Sequence, residues 1–409
     1  MRIKRTFLRG SALGRFFASC VPRGFSEELG LGPAGPGDLS GGRSAPFVMT
    51  GPPGPETLIN ARGYLYFGGT GYFGLQAHQD MVRAGVKAWR KYGMHSAASR
   101  TGFGNNPVLS DLEKRIAEYF GAGDSVYFAS GYLSALFMAQ GMAGRFDAVF
   151  VDENSHFSVL DGAFSARKPL LFYRHMDPSD LRARLRAELK PGQRPLVVTD
   201  GVFPAFGAIA PVRELARELE PYDGALCLDD AHGVGVLGEN GRGTCEHSGL
   251  EPGGGVIMSG TLSKAFGGYG GFVPGTPELI SRIRRTVGAY GGTNCVPVPV
   301  AAASAKGLEL VRSHPEWRRK LRHNVARLRK GMKKLGFDTG DSPVPIVAWT
   351  LSGADEMKKV QAALLDRGIA VAYMKYSGTP DCGVLRASVF SSHTDAQIDR
   401  LLAELSGLV

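Results

Sequence analysis

Several things are missing from this 409-residue sequence, and each absence narrows what the chain can be. No apolar stretch approaches the roughly 18 residues that a membrane-spanning helix needs, so the chain reads as non-spanning. No lysine is followed by serine or threonine and no Gly-Lys pair occurs, so there is no phosphate loop of the Walker kind. The run Asp229-Asp230-Ala231-His232, which looks like a helicase acidic box, therefore lacks the partner that chemistry requires. The five cysteines (Cys20, Cys227, Cys245, Cys295, Cys382) are scattered, odd in number and without a Cys-x-x-Cys. They suggest neither a disulfide framework nor a metal site, and the expected setting is a reducing cytoplasm. The first 60 residues hold no helix-turn-helix pattern of the sort a DNA-binding regulator carries.

Charge is present in excess of one sign, with a formal balance of +10, but it sits in two places. Residues 1–26 contain six Lys/Arg and no acid, and residues 316–334 contain nine Lys/Arg and one Glu. Together these supply +14 and leave −4 for everything else, so no nucleic-acid partner is expected. The acid-free start shares features with organellar transit peptides, but also with the basic extensions that often open bacterial chains, and the second reading is preferred. In the second basic segment Trp317, Leu321, Val325, Leu328, Met332 and Leu335 recur at helical spacing, which predicts an amphipathic helix with a solvated basic face. A docking face for an acidic partner is the lesser alternative.

Residues 1–60 read as a basic extension running into a Gly/Pro/Ser-rich arm. Short strand-like runs follow at 125–129, 148–151, 169–173, 195–199, 225–228, 256–259 and 271–273, most of them separated by helical stretches. Alternation of this kind predicts an α/β fold with a mostly parallel seven-stranded sheet, and the short last interval suits an antiparallel strand. Beyond residue 300 the layout changes to a smaller α+β domain. The expected division is 1–60, 61–300 and 301–409, with no internal repeat.

The chemistry-bearing residues gather at the ends of these strands. Gly233-x-Gly235-x-x-Gly238 matches a dinucleotide fingerprint in letters only, since Glu239-Asn240-Gly241 continues it as loop instead of helix. Asp229 ends an apolar strand, and Lys264 follows another in a turn rich in Gly, Ser and Thr. A lysine able to hold an aldehyde, paired with a strand-end carboxylate able to keep a pyridine nitrogen protonated, is what pyridoxal phosphate requires. Ser130, Gly131 and Tyr132 open a strand-to-helix turn whose free amides suit a phosphate. His156 is placed to stack a flat ring on the cofactor. Arg386, in an otherwise apolar strand, offers a fork for an α-carboxylate. Each has a plainer alternative: Asp229 as a helix cap, His156 as a satisfied histidine, Arg386 in an internal salt bridge.

Together DENSHFSVLDG (152–162), DDAHGVGVLGENGRGT (229–244), SGTLSKAFGGYGGFV (259–273) and LRASVFSSHT (385–394) resemble the α-oxoamine synthase family of fold-type I pyridoxal phosphate enzymes. The resemblance implies a homodimer with shared active sites and a large PLP-binding domain. It implies condensation of a small amino acid (alanine, glycine or serine) with an acyl thioester, on coenzyme A or a carrier protein, with decarboxylation to an α-amino ketone. It makes Lys264 the Schiff-base lysine, Asp229 the pyridine partner, His232 the ligand of the ring hydroxyl and His156 the stacking ring. Gly131, Tyr132 and Thr261 would hold the cofactor, Thr293 would reach its phosphate from the other subunit, and Arg386 would bind the amino acid. Departures from the family pattern fall at Thr70, Leu109, Ala135, Pro204 and Val384. An aminotransferase or amino-acid lyase of the same fold, or a non-catalytic partner subunit or regulator, are the competing expectations.

Overall fold

A computed structural model describes residues 47–250, 253 and 255–409, so most of the expected N-terminal extension lies outside the described residues. The described chain opens with a hairpin, β1 (Glu56–Ile59) and β2 (Arg62–Tyr66), turning through Asn60 and Ala61 at positive φ. The expected boundary at residue 60 thus falls inside this turn.

The central sheet is built from β3 (Asp124–Phe128), β4 (Ala148–Asp152), β5 (Leu170–Tyr173), β6 (Pro195–Asp200), β7 (Ala225–Asp229), β8 (Val256–Thr261) and β9 (Gly271–Gly275). Their order is β3-β9-β8-β7-β6-β4-β5. The strands from β8 through β5 are parallel, whereas β9 runs antiparallel between β8 and β3, as its short link to β8 demands. Every residue of β4, β6, β7 and β8 is buried, the signature of a sheet covered on both faces. Alternation then sorts side chains: Phe150, Val197, Leu226 and Leu228 join one apolar cluster, and Val149, Val151, Leu196, Val198 and Cys227 the other.

Past residue 300, β10 (Ile346–Trp349), β11 (Ile369–Ala370), β12 (Ala372–Met374) and β13 (Val384–Ser388) complete two smaller sheets. One is antiparallel in the order β10-β13-β12; the other, β1-β2-β11, joins the hairpin to the C-terminal part through parallel pairing of β2 and β11. Helix Pro315–Lys334 buries Leu321, Val325, Leu328 and Met332, as its periodicity predicts. Its basic face is not wholly solvated, however. Arg318 and Arg329 are buried and donate to backbone carbonyls, Arg318 to Glu239 (3.0 Å) and Arg329 to Ile346 (2.8 Å). Loop and strand carbonyls left without backbone partners explain why guanidinium groups were drawn inward. Among the described residues no helix is long and apolar enough to cross a membrane.

Helix Ser134–Gly141 packs on helix Phe157–Ser165 so closely that Gly162 has no room for a side chain. A Cβ there would lie 2.6 Å from the backbone carbon of Ala135 and the amide of Leu136. Gly162→Ala is expected to lower stability by about 1–3 kcal/mol, read as a shifted denaturation midpoint. Adding Ala135→Gly should not restore it, because the clash is with backbone.

Candidate active site

The carboxyl ends of β6, β7 and β8 stand side by side, with Asp200 opposite Asp229 and Asp229 opposite Ser259. In open α/β sheets this edge is where ligands bind. A cavity of about 410 Å³ opens over it. Of the ten residues expected to form the site, nine line it: Ser130, Gly131, Tyr132, His156, Asp229, His232, Thr261, Lys264 and Arg386. Thr293 does not. It is exposed at the end of helix Gly288–Gly292, where its hydroxyl donates to the Ala289 carbonyl (2.8 Å).

The floor is dry and charged. Burial pushes the Asp229 carboxyl up to about 6 against the opposing pull of the Lys264 charge. Burial also brings the Lys264 amine down to about 8, with Asp229 and Asp200 opposing. Asp200 is raised well above the carboxylate range, first by burial and then by Asp229; its Oδ2 accepts the His156 backbone N–H at 2.8 Å.

Both histidines are held neutral. Burial lowers His156 to about 4, with Lys264 adding to the effect, and takes His232 well below its ordinary value. His156 Nδ1 accepts the Ser158 backbone N–H (3.1 Å), capping helix Phe157–Ser165, and lies 2.6 Å from Ser158 Oγ. Its proton therefore resides on Nε2, which contacts the Tyr376 hydroxyl. The capping role thus coexists with a ring that faces the cavity. His232 Nδ1 lies 2.6 Å from the hydroxyl of Tyr72, whose phenol burial keeps protonated. With Tyr72 donating, the assignment that satisfies both groups puts the His232 proton on Nε2.

At the other end of the cavity two turns touch. Ser130 caps the short helical turn Gly131–Leu133 by accepting the Tyr132 N–H (3.2 Å). A Cβ on Gly131 would lie 2.9 Å from Thr261 Cβ and Oγ1, so only glycine lets the turn after β3 approach the end of β8 there. Thr261 Oγ1 donates to the Gly270 carbonyl (2.9 Å) and sits 2.8 Å from Ser263 Oγ. Hydroxyls and amides from both turns converge as a cradle for an anion.

Arg386 lies in β13 opposite Ala348 and Ala372. It is buried, its Nη1 donates to the Pro204 carbonyl (3.0 Å), and its Nε has no partner. Among the described residues no carboxylate is within ion-pair distance of it, so the internal salt bridge is not formed. The contrast is Arg100, equally buried, which pairs with Glu113 at 2.8 Å. A buried guanidinium with no carboxylate partner from its own chain is chemically suited to bind an anion.

Asp200, Ser158 and Tyr376 also line the cavity and have no assignment from sequence, nor has Tyr72, which touches His232; Ser263, one of the hydroxyls flanking Lys264, lines it too. Asp200 ends an apolar strand just as Asp229 does, a signal that was available. Tyr376, 220 positions from His156, gave none. Of the departures, Thr70 and Pro204 line the cavity, Leu109 and Ala135 are fully buried in helices, and Val384 is buried opposite Met374.

Residues 69–405 match the family model described as aminotransferase class I and II. An 8-amino-7-oxononanoate synthase of Nitrosococcus oceani is 38% identical over 360 residues, covering 88% of this chain and 95% of the relative. A serine palmitoyltransferase of Caulobacter vibrioides is 34% identical over 349 residues, covering 85% and 86%. Among solved structures, Sphingomonas wittichii serine palmitoyltransferase superposes with a TM-score of 0.84 at 28% identity, over 97% of this chain and 98% of that one. A second serine palmitoyltransferase, solved with PLP, gives the same figures.

The raised carboxyl of Asp229 has a measurable cost. Between about pH 4 and 6 the unfolded chain releases a proton that folded Asp229 retains, so stability falls as pH rises through that window. Asp229→Asn, stripped of any ligand, should melt higher than the parent at pH 7, by up to about 3 kcal/mol, and match it at pH 4. Equal melting at both pH values would contradict this.

Proposed function

The chain belongs to the aminotransferase class I and II family, and from that membership we propose a PLP-dependent acyltransferase of the 8-amino-7-oxononanoate synthase type. It joins a small amino acid to the acyl group of a thioester, releasing the thiol and carbon dioxide and leaving an α-amino ketone. The observation that carries the reading is Arg386, buried and without a carboxylate partner, in the same cavity as Lys264 and Asp229. The rest of the cavity fits pyridoxal 5′-phosphate: a buried carboxylate for the ring nitrogen, an amine, and the Gly131–Thr261 cradle for the phosphate. When bound, that group supplies an aldehyde for amines and a ring that withdraws electrons from the neighbouring carbon.

The chain's own residues divide the remaining work. Asp229 would keep a proton at the ring nitrogen, since its buried carboxylate is stabilised by a cationic neighbour. His232, its Nδ1 engaged by Tyr72, turns an Nε2 donor toward the cavity for the ring hydroxyl. His156 is locked by Ser158 and Tyr376 as a flat neutral wall. Lys264, near 8, can hold or release a proton around neutrality and so can move the α-proton of the amino acid. Arg386 fixes the α-carboxylate before it leaves as carbon dioxide.

A homodimer completes the reading. Val82, Val86 and Trp89 expose an apolar stripe along helix Gln79–Tyr92, and Phe103 is 95% exposed nearby in sequence. The segment bearing Phe103 is tied to that of Thr293 through a Ser99–Asn294 bridge. Thr293, outside its own cavity, is thus on a face suited to serve a second copy. Trp89→Glu with Phe103→Glu should yield monomers by sedimentation, with turnover lost in proportion.

The decisive assay follows thiol and carbon dioxide together, with alanine, glycine or serine and an acyl thioester. Equal release of both, dependent on both substrates, is expected. Keto-acid release from an amino acid alone would favour an aminotransferase. Arg386→Gln should raise the KM for the amino acid about ten- to a hundredfold, with the KM for thioester little changed.

A further inference from the structure

A second cavity, of about 560 Å³, lies between the end of helix Val298–Ser313, the start of helix Pro315–Lys334 and the loop at 238–243, and shares no lining residue with the catalytic one. Five arginines line it: Arg242, Arg312, Arg318, Arg319 and Arg322. Arg318 is 5% exposed and donates only to the carbonyls of Val311 (3.4 Å) and Glu239 (3.0 Å). Arg322 donates to the Gly238 carbonyl (2.6 Å) and Arg242 to that of Tyr119 (2.9 Å). Among the described residues none of the five is in an ion pair.

The nearby acids are otherwise engaged. Glu118, on the rim, pairs with Lys114 at 3.9 Å. Glu316, within electrostatic reach of Arg319, turns its carboxylate to His314 at 2.7 Å. Glu246 accepts the amides of Asn240 and Arg242. Glu239 remains as the one other carboxylate in the lining. The opposite face of the same helix is neutralised in full view: Arg327 pairs with Asp395 and Asp399, and Lys320 with Asp395.

The site is also built, not merely crowded. Gly241, at φ +77°, leaves room beneath the loop; a Cβ there would lie 2.7 Å from Tyr119 Oη and 3.1 Å from Arg318 Nη1. Guanidinium groups cannot shed their charge, so five of them around one hollow repel unless an anion enters. Their planar forks match phosphate oxygens better than a point charge would. The volume is that of a small-molecule pocket.

We propose that this cavity binds small molecules carrying two or more phosphate charges, at a site separate from the catalytic cavity. The claim does not rest on which reaction the enzyme performs. It is tested by calorimetric titration of the PLP-loaded protein with inorganic pyrophosphate, ADP and coenzyme A in physiological salt, which screens weak surface attraction. Saturable binding of pyrophosphate and ADP at one site per chain is expected. Arg312→Gln with Arg319→Gln, both exposed positions that should leave folding intact, should weaken it about tenfold or more. Turnover at saturating substrates, with no pyrophosphate or nucleotide added, should be unchanged in that variant. Coenzyme A separates the sources: parallel loss of its affinity assigns the site to the phosphate end of a thioester, and unchanged affinity assigns it to a free nucleotide. Absence of saturable binding by pyrophosphate and ADP, equal affinity in the variant, or loss through Arg386→Gln instead would overturn the proposal.

Discussion

The arrangement turns on one electrostatic problem: two carboxylates and an amine held out of water at the ends of three adjacent strands. Asp200, Asp229 and Lys264 each pay for burial, and each eases the cost for another. Parallel strands make this possible, because their carboxyl ends align and the covering helices shut out solvent on both faces. An amine that titrates near neutrality and a carboxyl raised toward it are consequences of that dryness, and the proposed chemistry draws on both.

Around this floor the walls are set by groups that hold one another. His156 is fixed by a helix cap on one side and Tyr376 on the other, and His232 by Tyr72. These contacts decide which ring nitrogen carries the proton, so tyrosines that need never touch a substrate still determine what the histidines can donate. The glycine at 131 plays the same part for the anion end by allowing two turns to meet.

Much of this could be read from the chain itself, for a physical reason. A charge in an apolar strand is conspicuous, so Asp229, Lys264 and Arg386 stood out, and the spacing of strands and helices foretold the sheet with its antiparallel β9. Asp200 carries the same mark at the end of β6. Tyr72 and Tyr376 were hidden because tyrosine is common in cores and loops, and their partners lie 160 and 220 positions away. The periodicity of the basic helix predicts burial of its apolar residues and is silent on arginines that turn inward to backbone carbonyls. Thr293, which only the family resemblance assigned to the site, lies outside the cavity of its own chain.

The small sheet that joins β2 to β11 has a further meaning for how the protein is made. Arg62 reaches the carbonyl of Asp366 across 304 positions, and the amide of Ser388 bonds to the carbonyl of Phe67. During synthesis the β2 edge of the first hairpin must wait unpaired until residues 369–370 have left the ribosome. Thr70 and Arg386 come to the same cavity only at that last docking step. A nascent chain can therefore complete its central sheet, whose strands end at residue 275, well before Arg386 reaches the pocket.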